Sequence, residues 1–198
     1  MKKTILLSLL AFSLFSFTFH SFGYMTLFEN ANSAKYFKYG KHHYIEYFDN
    51  DKATFNDLEY YVRYRKYSWG DIDTAYYRKA QTNYYHFDSK NMTESISLPV
   101  EPKLGDKWFE ADESWSYEVV ETDQKFKTPA KKYKNCVKVH CVQITNKNKE
   151  KSSEYYLYYS PQYGYVGNVD GRGNILSYLS EMKVDAKEGD VIGEKSKN

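Results

Sequence analysis

Ten of the 22 tyrosines in this chain come in pairs: Tyr60-Tyr61, Tyr76-Tyr77, Tyr84-Tyr85, Tyr155-Tyr156 and Tyr158-Tyr159. Successive side chains of a strand point to opposite faces, so a doublet within a strand puts one ring on each face. This pattern predicts an antiparallel β protein with aromatic rings both in its core and on its exterior. Beyond the N-terminal segment no window repeats at 3.6 residues, so no helix is expected.

Period-two runs divided by turn residues give ten strands. They cover residues 41–48, 58–64, 73–80, 82–87, 93–100, 114–123, 136–145, 153–160, 165–169 and 175–184. Turns are expected at Asp49–Lys52, Gly70-Asp71, Asp88–Asn91, Asn146–Lys151, Pro161–Gly164 and Asp170–Asn174. The expectation is all-β: one antiparallel domain of about ten short strands, its curved sheet tending to a half-barrel or open barrel. A faint echo, Lys38–Tyr44 against Lys103–Trp108, is equally a duplication or the same turn chemistry used twice.

The N-terminus sets the destination. Lys2 and Lys3 precede an apolar run from Ile5 to Phe19, and small residues Ser21 and Gly23 stand before Tyr24. That is the layout of a secretory signal over residues 1–23, with an uncleaved anchor as the rival. The mature chain is then a β domain over 24–184 and a polar, charged tail over 185–198 with little to bury. Its expected location is periplasmic, cell-surface or secreted, with no membrane span once the signal is cut. Without Lys2 and Lys3 the 28 basic residues fall to the number of acidic ones, 26. A neutral chain lacks the basic excess of a nucleic-acid binder, and no nucleic-acid partner is expected.

Cys136 and Cys141 belong to an exported chain, where a disulfide would persist. The intervening Val-Lys-Val-His alternates like a strand, which holds the two Cα atoms about 16 Å apart. A disulfide needs less than about 7 Å. Buried free thiols are expected, unless a tight turn at Lys138 folds the segment back.

Short motifs recur in order along residues 36–180. They are Tyr36-Phe37-Lys38-Tyr39-Gly40, Leu98-Pro99 with Lys103-Leu104-Gly105-Asp106-Lys107-Trp108, and Thr128-Pro129-Ala130 with Tyr133-Lys134-Asn135-Cys136. Tyr155-Tyr156 with Tyr159-Ser160-Pro161 and Gly164-Tyr165-Val166 completes the set. In this order the motifs resemble an uncharacterised family of exported bacterial β domains, the TapB-like group. Lys38 departs from that family's proline, and Lys131 from its glycine. The resemblance implies an exported antiparallel sheet curved towards a half-barrel. It implies no activity and no functional residues.

Chemistry is sparsely marked. His42 and His43 are adjacent and face opposite ways, His86 and His140 are isolated, and no metal-binding spacing occurs, so neither metal nor cofactor is expected. No nucleophile elbow is present. Two acids in aromatic strands, such as Glu46 and Glu59, would serve a glycosidase if they stood at the right separation. The face of 58–64 carrying Leu58, Tyr60, Val62 and Tyr64 reads as core. The alternate face, Tyr61, Arg63, Arg65 and Tyr67, reads as exterior, beside Tyr77 and Arg78 on the next strand. Flat rings beside guanidinium groups suit a binding surface for an envelope protein, a glycan or an apolar ligand. Equally, they suit plain cross-strand pairing on a solvated sheet. Three readings follow: a non-catalytic binding or scaffolding domain, a hydrolase, and a carrier of an apolar ligand in a concave sheet.

Overall fold

A computed structural model describes residues 33–145, 153–184 and 186. Those residues form twelve strands and no helix. The strands are β1 (Ala34–Tyr39), β2 (His42–Phe55), β3 (Leu58–Tyr67), β4 (Ile72–Lys79), β5 (Asn83–Asp88) and β6 (Thr93–Pro99). The second half holds β7 (Lys107–Phe109), β8 (Trp115–Lys127), β9 (Lys132–Gln143), β10 (Glu154–Ser160), β11 (Gly164–Asp170) and β12 (Ile175–Lys183). The two strands beyond the expected ten are β1 and the three-residue β7. The signal segment, the Asn146–Lys151 turn and, apart from residue 186, the tail lie outside the described residues.

All strands join one antiparallel sheet in the order β6-β5-β4-β3-β2-β1-β12-β11-β10-β9-β8-β7. Each half is a simple up-and-down run, and the first and last strands pair to join the halves. The sheet curls until its edge strands β6 and β7 approach each other. There the Ala111 amide, just past β7, donates to Ser95 Oγ of β6 at 2.9 Å. The result is an up-and-down barrel with one unpaired seam.

The β2–β3 hairpin corrects the turn expected at Asp49–Lys52. Strand β2 continues through these residues, with a register shift against β3 between Phe48 and Lys52. The chain reverses instead at Asn56-Asp57, whose φ angles are 49° and 60°. A two-residue hairpin of this type requires positive φ at both positions, which Asn and Asp adopt at low cost, whereas the bulge absorbs the extra polar residues within the strand.

All five doublets split across the sheet. Tyr61, Tyr77, Tyr84, Tyr155 and Tyr159 join or pack against a core cluster built on Phe48, Leu98, Trp108, Trp115, Val119, Val137 and Val139. Their partners turn the other way. Tyr60 and Tyr76 pack with Phe55 and Phe87 in an aromatic cluster on the outer face, where Phe55 and Phe87 stack at 4.5 Å. Tyr85 covers Arg78, Tyr156 stacks on His140, and Tyr158 stacks on Phe126.

Cys136 and Cys141 are both buried free thiols within the single strand β9. Burial pushes the Cys136 thiol up to about 11 and raises Cys141 as well, so neither is a thiolate at neutral pH.

Candidate functional site: the barrel interior

Three neighbouring strands bring a charged row to the inside of the barrel. Register places Lys35 of β1 opposite Glu46 of β2, Glu46 opposite Arg65 of β3, and Phe48 opposite Arg63. On the far side of β3, Arg65 faces Asp73 of β4. Residues two apart share a face, so these strands deliver three cations around one carboxylate. Lys35, Glu46 and Arg63 are each at most 7% exposed.

Glu46 holds the group together. Its Oε2 accepts from Arg65 Nη2 at 2.8 Å and stands 3.6 Å from Arg63 Nη1. Arg63 Nη2 also donates to Asp73 Oδ2 at 2.5 Å, on the half-exposed rim. Burial pushes the Glu46 carboxyl up, but Arg65, Arg63 and Lys35 outweigh it and hold the group at about 2. Lys35 shows the opposite balance. Burial lowers its ammonium to about 8 despite the attraction of Glu46, which still leaves it charged at neutral pH. Its Nζ reaches the Tyr165 carbonyl at 3.5 Å. The guanidiniums lie over rings, Arg65 at 4.6 Å from Tyr44 and Arg63 at 5.6 Å from Tyr77.

This cluster forms one end of a cavity of about 350 Å³. Its walls are Phe48, Tyr77, Ile96, Leu157 and Tyr159. Tyr165 and Asn168 flank the cationic end, where Tyr165 OH donates to Ser177 Oγ at 2.9 Å and Ser177 donates to Asn168 Oδ1 at 2.7 Å. Glu110 and His86 also line the cavity, and with Ser95 they border a second hollow that includes Asp88 and Asp112. Glu110 accepts from Tyr117 OH at 2.6 Å. Burial keeps His86 below its ordinary value and hence neutral, and raises Tyr117, Tyr155 and Tyr159. Glu110 acts on His86, Tyr117 and Tyr155, Arg63 also acts on His86, and Glu46 answers to Arg65, Arg63 and Lys35.

The face of β3 expected to be exterior is therefore the interior one. Arg63, Arg65 and Tyr77 line the cavity. Tyr61 packs against the core nearby, under Lys52 at 5.1 Å, and Tyr67 lies beside Tyr44 and stacks on Trp69. Arg78 is separated from the others: it follows inward-facing Tyr77, so it points outward and pairs with Glu94. The alternate face, with Tyr60 at 1% exposure, is buried too, but beneath the outer aromatic cluster. Alternation thus finds two buried faces. An arginine row can occupy the inside because Glu46 neutralises part of it.

Sequence reasoning did not find Lys35, His86, Glu110, Tyr155, Tyr159 or Tyr165, because their convergence depends on pairing across twelve strands. The acids Glu46 and Glu59 do not converge. Glu59 is at the exposed end of β3, paired with Lys52 at 2.9 Å and outside the cavity lining. Among the described residues no group of three His, Cys, Asp or Glu is placed to hold a metal ion, and no helix is long and apolar enough to cross a membrane. Comparisons with protein-family models, with curated proteins and with solved structures find no match.

Proposed function

We propose that this chain is an exported, non-catalytic binding domain that takes a small ligand into its barrel. The observation that carries the reading is the cavity of about 350 Å³, with apolar and aromatic walls, a cationic cluster around Glu46 and a second polar group at His86 and Glu110. That combination suits a ligand site, in which apolar surface supplies affinity and a few charges fix orientation. The carrier reading and the Tyr/Arg binding reading merge here, since Arg63, Arg65 and Tyr77 border the same space as Ile96 and Leu157. Hydrolysis by Glu46 and Glu59 has no support, because Glu46 is committed to arginine and Glu59 is remote from the cavity.

Export rests on the basic and apolar segment 2–19, and membership of the TapB-like group rests on the ordered motifs alone. Cleavage before Tyr24 is checked by the mass of the protein recovered outside the cytoplasm. The binding reading is tested with the neutral apolar dye Nile red. The wild type is expected to enhance its fluorescence, and Leu157→Trp, which fills the cavity, to remove the enhancement while a cooperative melting transition remains. Enhancement unchanged in a folded Leu157→Trp protein would place the dye elsewhere and end the reading.

A further inference from the structure

We infer that the cavity selects an anionic amphiphile, a single carboxylate-like head on an apolar body, with the head at Arg63, Arg65 and Lys35. This rests on the binding reading above and adds the chemical class of the ligand.

Charge count is the first support. Lys35, Arg63 and Arg65 converge on one buried carboxylate, Glu46, and Asp73 at the rim serves Arg63 alone. Within this contact network one positive charge is left over on largely buried side chains, where an unbalanced charge is costly and a complementary anion is favoured. Glu110 lines the same cavity but is engaged by Tyr117 OH at 2.6 Å, and the ion pairs of Arg63 and Arg65 run to Glu46 and Asp73.

Hydrogen-bonding capacity is the second support. The Nε–H groups of Arg63 and Arg65 are both buried without an acceptor. Buried donors are almost always satisfied, so these two enclosed orphans show that the protein supplies too few acceptor oxygens for its arginines, and an anion in the cavity would meet the guanidinium atoms that line it. A carboxylate supplies two such oxygens in the planar geometry that guanidinium prefers.

Shape supplies the rest. Beyond the cations the lining passes to Phe48, Tyr77, Ile96, Leu157 and Tyr159, which offer apolar surface to a chain or ring and no further cation to a second anionic group. A cavity of about 350 Å³, at roughly 30 Å³ for each water-sized group, has room for about a dozen non-hydrogen atoms. Decanoate is a probe of that size. Decanol and decylamine keep its tail and change only the head.

The experiment is calorimetric titration of the full chain at neutral pH with these three probes. Decanoate is expected to bind at least about tenfold more tightly than decanol, with decylamine weakest. Arg65→Met should weaken decanoate about tenfold and leave decanol within about twofold. Glu46→Gln removes the competing carboxylate and should tighten decanoate; it decides the matter if Arg65→Met does not fold. Equal binding of decanoate and decanol, or a preference for decylamine, overturns the anionic class while leaving a ligand cavity in place. Failure of all three probes to bind, together with no Nile red enhancement, removes the binding reading itself. Decanoate binding that Glu46→Gln weakens or leaves unchanged overturns the placement of the head.

Discussion

The barrel carries two clusters of arginine, glutamate and tyrosine, one on the inner face of β1 to β4 and one on the outer face of β3 to β6, and they are balanced differently. On the outside, Arg78 meets Glu94 in a bidentate pair, Nε to Oε1 at 2.6 Å and Nη2 to Oε2 at 2.5 Å. Tyr60 OH adds a third donor to that carboxylate at 2.7 Å, and Tyr85 covers the guanidinium at 4.4 Å. One cation faces one anion, and each has its partners. On the inside, three cations share Glu46 and a rim aspartate, and two Nε–H groups have no acceptor. The outer cluster is complete and behaves as a clamp across β3, β4 and β6. The inner one has positive charge and donors to spare beside a cavity. Residue type alone does not separate a structural ion pair from a site; the stoichiometry of charge and acceptors does.

The largest expected difference is in stability. Glu46→Gln leaves the buried Lys35 and Arg63 and the partly exposed Arg65 without their common anion and should cost about 3 kcal/mol in denaturant unfolding. Glu94→Gln, whose partner is about one-fifth exposed, should cost only about 1 kcal/mol. Equal costs would break the comparison.

Acid exposes the same contrast. Glu46 is held at about 2 when folded, against an ordinary value of 4.5, so its stabilisation is complete above pH 4.5 and disappears as pH falls towards 2. Wild-type stability should drop across that window by about 3 kcal/mol more than that of Glu46→Gln. A variant with the wild-type acid profile would show that Glu46 is not the group responsible.

Binding sharpens the comparison further. Arg78→Met removes the outer cation and should shift decanoate affinity by less than about twofold, against the tenfold loss for Arg65→Met. A matching loss at Arg78 would mean that the outer face takes part in the site. The smallest effect belongs to Lys52→Ala, which removes the exposed pair with Glu59 and should leave the melting temperature unchanged within error.

Much of the fold is legible in local pattern. Period-two runs mark ten of the twelve strands, and the Tyr doublets divide between the two faces because pleating leaves no alternative. Val137–His140 alternates as a strand, which keeps Cys136 and Cys141 apart as free thiols. The turns are less legible: Asp49–Lys52 has turn composition yet lies within β2, because a bulge can absorb polar residues that a hairpin would also accept. Of the expected site residues, Arg63, Arg65 and Tyr77 meet at the cavity, whereas Arg78 follows Tyr77 by one residue and is turned outward for that reason alone.

By itself the sequence determined that strands form and that each has two chemically distinct faces, since both follow from side-chain period and β propensity within a few residues. Only the tertiary structure decided which face is inside. Leu58, Tyr60, Val62 and Tyr64 form the more apolar face of β3, but their neighbours Phe55, Tyr76 and Phe87 shelter part of it on the exterior. The Arg63/Arg65 face turns inward because register sets Glu46 against it and curvature closes the barrel over both. Those are long-range pairings, and no local pattern encodes them.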